Sequence, residues 1–171
     1  MPNQPASTAK GQSLVEFALT ATLLIFVLMA TADFGLAFLS WITLRDAAQE
    51  GATYGSIFPP YDSSGAHNHT VNGATIDYIR ARARDSATWP VSLATDRTHV
   101  SVSLLTSGGL TGGFPCQGNS IQVTVVYDYH FVSPMIGKIF GNGDGDIPVS
   151  ASVTNTILLN SDKTYCESPH Y

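Results

Sequence analysis

An uncharged apolar run from Phe17 to Ala32, FALTATLLIFVLMATA, limits this chain more than any other feature. Past Asp33 it resumes as FGLAFLSWITL and stops at Arg45. A bilayer core takes roughly 20 apolar helical residues, whereas a secretory h-region takes only about 7–15. The run is too long for the latter, and no A-x-A cleavage site follows it. It is rich in Ala, Leu, Phe and Met, holds Gly35 as its single glycine and has no proline, so it reads as a helix. A helix apolar on every side over this length does not suit the core of so small a domain, which predicts a membrane span. Composition agrees. Charged residues are 12% of the 171, about half the usual ~25%. With a net charge of -5 and 8 Lys and Arg, the chain is no general binder of nucleic acid, which needs cations to neutralise phosphate. The sequence fits an anchored or exported protein better than a cytosolic enzyme.

Glu16 stands two residues inside the apolar segment that begins at Leu14. An ionised carboxylate near hydrocarbon costs about 2.5–3.5 kcal/mol on insertion scales, so it needs a partner or a headgroup-level position. It could lie at the headgroups, in the favourable field of its own helix amino terminus. The spacing offers a second reading. Cutting the chain after Gly11 makes Gln12 the first residue and Glu16 the fifth, one helical turn from a new α-amino group. In a packed bundle that carboxylate could meet a neighbour's amino group and set the axial register.

Three blocks in order carry a resemblance: Gly11-Gln12-Ser13-Leu14-Val15-Glu16-Phe17-Ala18-Leu19, Asp33-Phe34-Gly35, and Ala47-Ala48-Gln49-Glu50-Gly51-Ala52-Thr53-Tyr54-Gly55. Together they resemble the TadE-like family, pilin-like proteins (pseudopilins or minor pilins) of the bacterial tight-adherence, or Flp, type IV pilus system. The resemblance implies a cytoplasmic leader over 1–11 and cleavage between Gly11 and Gln12 by a prepilin peptidase. It also implies a single-pass protein of the inner membrane with an extracytoplasmic head, incorporated into a surface pilus or supporting its assembly and adhesion. Its partners would be other pilin-like subunits, the assembly machinery and membrane lipid. Glu16 then sets subunit register. Asp33 lies 17 residues further on, about 25 Å along a helix, which suits an interfacial carboxylate or a subunit contact made in a filament. Both cysteines, Cys116 and Cys166, fall on the exported side, and a bridge between them would close the tail onto the head.

The helix is expected to continue over 12–55 as span and stalk, ending near Gly55 before Pro59-Pro60, a rod of about 65 Å holding the head away from the membrane. The head, 56–171, reads as α+β: one amphipathic helix from about Asn72 or Thr75 to Ala87, packed on a three- to four-stranded antiparallel sheet. Alternation marks strands at His99–Leu104, at Ser120–Val125 and on through Tyr129, and at Ser150–Ile157, with a short helix over Pro134–Phe140. Arg80, Arg82 and Arg84 read as a solvated face. Asn142, Asp144 and Asp146 are spaced like the start of a calcium loop, but Val153 stands where its bidentate Glu belongs. His67 and His69 lack a third metal ligand. No hydrolase, zincin or nucleotide-loop motif occurs, so no catalytic, cofactor or metal residues are assigned and the chain reads as a non-enzyme. The rival to a pilin-like subunit is a single-span envelope protein whose head binds a ligand or calcium and never enters a filament.

Overall fold

A single helix of 49 residues, α1 (Ala9–Ile57), runs through all three sequence blocks without a break. It is seen in a computed structural model that describes residues 9–60, 74–87, 89, 91, 93, 97–110, 115–142 and 145–159. Residues 1–8 of the expected leader, His67, His69, Asp144 and Cys166 lie outside those residues. After α1 come α2 (Ala74–Asp85), β1 (Thr98–Leu105), β2 (Ser120–His130), α3 (Pro134–Phe140) and β3 (Asp146–Thr156). The strands form one antiparallel sheet in the order β1-β2-β3. The fold is α+β, a long apolar helix and a head with α2 on a three-stranded sheet.

Strand alternation decides which face is buried. Ile121, Val123 and Val125 of β2 are fully buried and meet Leu44, Ala47, Ala48 and Ala52 of α1, with Ile79 and Ala83 of α2. The opposite face is a neutral polar ladder. Gln122 Nε2 donates to Thr154 Oγ1 at 3.3 Å, the Thr124 and Ser152 hydroxyls pair at 2.9 Å, and the Ser103 hydroxyl donates to Gln122 Oε1 at 3.5 Å. β3 starts earlier than its alternation suggests. It takes in Pro148, opposite Asp128, because an edge strand tolerates a residue without an N–H. Of the three arginines of α2, Arg80 pairs with Asp77 and Arg82 with Glu50 of α1. Cys116 is disulfide-bonded.

One expectation changes. Gly55 does not end α1, which continues to Ile57 and gives way at Pro59-Pro60. The glycine is there for packing: a Cβ on it would lie 2.5 Å from Ile121 Cδ1 and 3.1 Å from Ile79 Cδ1. One turn earlier, a Cβ on Gly51 would come within 3.1 Å of Ala83 Cβ. Small residues let α1 press against both α2 and β2. The head that follows α1 also folds back along it. The inward stripe of α1 runs Phe26, Ala30, Asp33, Leu36/Ala37, Ser40, Leu44, Ala47/Ala48, Gly51/Ala52 and Gly55, so the head lies along the helix from residue 26 upward. Replacing Gly55 with leucine is expected to destabilise the head by about 1–3 kcal/mol through overpacking, read as a lower denaturation midpoint in detergent. An unchanged midpoint would mean that the contact is slack.

Candidate functional site

Two acids stand in the apolar part of α1, Glu16 and Asp33, and the fold treats them oppositely. Asp33 is buried, with 2% of its surface exposed. Its partner is the start of α3, 100 residues on. Ser133 is the N-cap residue of α3, but its side chain makes no capping bond, and Pro134 opens the helix. The acceptor comes from α1 instead: the Val132 N–H donates to Asp33 Oδ1 at 3.0 Å and the Ser133 N–H to Oδ2 at 3.1 Å. A carboxylate at a helix amino terminus also meets the positive end of the peptide dipoles. The Tyr129 hydroxyl donates to the Asp33 carbonyl oxygen at 3.2 Å. Around this junction Tyr129, Phe131 and Ile136 pack on Phe26, Ala30, Leu36 and Ala37, and the Tyr129 and Phe131 rings meet edge-on.

Within the chain Asp33 is therefore turned inward and fully engaged. It is an internal clasp. The sequence signal that points to it is the need of any acid in an apolar span for a buried partner. Sequence reasoning missed Tyr129 and the start of α3 as that partner.

Close backbone approach fixes the far end of α3. A Cβ on Gly141 would fall 2.5 Å from the Gly137 oxygen and 2.5 Å from the Gly145 carbonyl carbon. The segment then turns back, with the Asn142 N–H donating to the Asp146 carbonyl at 2.9 Å and Gly145 at φ +83. Asp146 engages His130 Nδ1 at 2.6 Å. Of the residues spaced like a calcium loop, Asp146 thus gives its carboxylate to His130, and Asn142 pairs with Asp146 through the backbone. Among the described residues no cluster of three or more potential metal ligands occurs.

Burial first, then the nearby Asp33 charge, then Tyr127, push the Tyr129 hydroxyl above its ordinary ionisation range. For an acid whose folded pKa is raised, stability is full below the unfolded value, about 10 for tyrosine. It falls as pH rises from there through the folded value. Wild type is expected to lose denaturant stability above about pH 10 more steeply than Tyr129→Phe. Parallel curves would remove Tyr129 from the junction's energetics.

Glu16 stands differently. It is exposed, and its carboxylate makes no ion pair among the described residues. At 3.6 residues per turn it projects about 100° around α1 from Asp33, to one side of the docked head and below the level at which the head begins. Gly11 and Gln12 are also exposed, at the first turn of the helix. The whole of α1 from Gly11 is long and apolar enough to cross a membrane.

Residues 11–53 match the family model described as TadE-like protein. The match covers about a quarter of the chain, from the proposed cleavage point to the α1 turn beneath Gly55. The chain matches no curated protein and no solved structure. The TadE-like segment suggests a pilin-like protein associated with a tight-adherence pilus. Both acids, Glu16 and Asp33, fall inside it. So do Ala47, Ala48, Gly51 and Ala52 of the packed stripe, whereas Gly55, α2, α3 and the strands lie outside.

Proposed function

We propose that this chain is a pilin-like subunit that inserts with its leader in the cytoplasm, is cut between Gly11 and Gln12 by a prepilin peptidase, and takes part in building a tight-adherence pilus that supports adhesion. In this reading it sits in the inner membrane with its head outside, and its partners are other pilin-like subunits, the assembly machinery and lipid. The observation that carries the reading is Glu16: unpaired, below the level of the head, and five residues into a TadE-like segment that starts at Gly11. Helix packing is the work assigned to it, and no residue is given a catalytic role.

Cleavage requires the backbone at Gly11 to leave the helix. Only Ala9 and Lys10 precede it in α1, and glycine costs about 1 kcal/mol relative to alanine in a helix interior, so this turn opens easily. Mass spectrometry of membrane-extracted protein should find a chain that begins at Gln12, and Gly11→Leu should accumulate as full-length precursor. A functional chain that retains Met1 would overturn the processing step and favour the single-span envelope protein.

A further inference from the structure

The docked head leaves too little bare helix to cross a bilayer. Going up from Gly11, α1 is free of the head for 15 residues, to Ile25, with Ala21 half-buried. From Phe26 one side of it is covered. Fifteen residues rise about 22 Å, whereas the hydrocarbon core is about 30 Å thick. The missing ~8 Å falls on residues 26–31, where Phe131 and Ile136 pack on α1. Whatever α3 and its approach turn outward at that level must then face the same solvent as the span. Those residues are apolar: Val132, Met135, Ile139 and Phe140 are all exposed, Val132 and Phe140 to about 70%. Lys138 is the charged residue among them, and a lysine stem can run along apolar surface with its ammonium at the phosphates. On α1 at neighbouring levels, Phe34 and the stacked Phe38 and Trp41 are exposed too, the residue types that collect at membrane interfaces.

We infer that α3 is a lipid-seated foot: Val132, Met135, Ile139 and Phe140 enter the leaflet on the head's side, beside the span. The occupant of this face is lipid because the face continues the helix surface that lipid already covers, and because the span falls short without it. The inference rests on the reading of α1 as membrane-spanning. It gives the Asp33 clasp a purpose. Two backbone N–H groups and an acid at membrane depth satisfy one another, so the foot can lie against α1 without exposing either to hydrocarbon.

Depth-dependent quenching tests this on the full chain in phosphatidylcholine–phosphatidylglycerol vesicles whose acyl chains carry bromine at shallow or deep positions. With Trp41→Phe and Trp89→Phe as background, single reporters are placed by Leu24→Trp on the span, Phe140→Trp on α3 and Phe58→Trp at the top of α1. The Phe140→Trp reporter should lose about half its emission to shallow bromines, as for an apolar face 5–10 Å into the interface. Leu24→Trp should respond to deep bromines and Phe58→Trp to neither. Met135→Trp repeats the α3 measurement should the first reporter perturb the head. If both α3 reporters behave like Phe58→Trp while Leu24→Trp is quenched, the foot is overturned and the span stands. An unquenched Leu24→Trp overturns the span itself. Shielding of α3 that grows with protein-to-lipid ratio and ignores bromine would assign the face to a second copy of the chain and overturn the lipid reading.

Discussion

Asp33→Ala is expected to detach α3 from α1 while the core around Ile121, Val123 and Val125 stays folded. The substitution leaves the Val132 and Ser133 N–H groups without an acceptor, and each orphaned buried donor costs about 1–3 kcal/mol. The total is then about 3–5 kcal/mol, within the range for breaking a buried charged partnership. Because Asp33 points into the protein, removing its charge brings no compensating ease of insertion in the folded state. Asn at this position keeps one carbonyl oxygen and no charge, so Asp33→Asn should fall between. Hydrogen exchange in detergent reads the effect locally. Protection over residues 131–141 should drop about a hundredfold or more, at 1.4 kcal/mol per tenfold, with β2 from Ile121 to Val125 little changed. Unchanged protection at α3 would show that glycine packing at Gly141 holds the segment without the acid.

That clasp also marks the boundary of what the sequence made legible. Features with a local period were readable: the apolar run, the alternation in β1 and β2, and α3 itself, which spans Pro134–Phe140 as expected. The family match over 11–53 covers the first two blocks that suggested it and the third as far as Thr53. What escaped were pairings over long separation. Nothing near Asp33 in the chain names Val132 and Ser133 as its donors. A helix apolar on every side hides the stripe from Phe26 to Ala37 that faces the head, because inward and outward residues are alike there. Gly55 was misread for a related reason. Glycine signals a helix end and a close helix–sheet contact with the same letter, and only Ile121 above it decides between them.

The same fold explains why one acid is engaged within the chain and the other is left exposed. The head covers α1 from residue 26, so every group below that level is presented outward. A junction that secures Asp33 internally spends none of the bonding capacity of Glu16. A filament contact low on α1 would therefore have Glu16 as its one acid among the described residues from Gly11 to Ile25.

Removing that acid should separate anchoring from assembly. Apolar burial holds α1 in the bilayer, so Glu16→Ala should fractionate with membranes and insert more easily, by about the 2.5–3.5 kcal/mol that a carboxylate near hydrocarbon costs. The substitution changes a side chain four residues beyond the Gly11–Gln12 bond and leaves that backbone as it is, so the variant should still be cut. What it lacks is a partner for an α-amino group, its own or a neighbour's. Breaking one side of a desolvated charge pair is costly because the other charge is left uncompensated, on the order of 3–5 kcal/mol. At one subunit contact that is a loss of two to three decades in association. Strains whose sole copy carries Glu16→Ala should make few or no pili, with Glu16→Asp intermediate because its reach is one methylene shorter. Piliation at the wild-type level with Glu16→Ala would reduce Glu16 to a headgroup-level residue and leave register to helix packing alone.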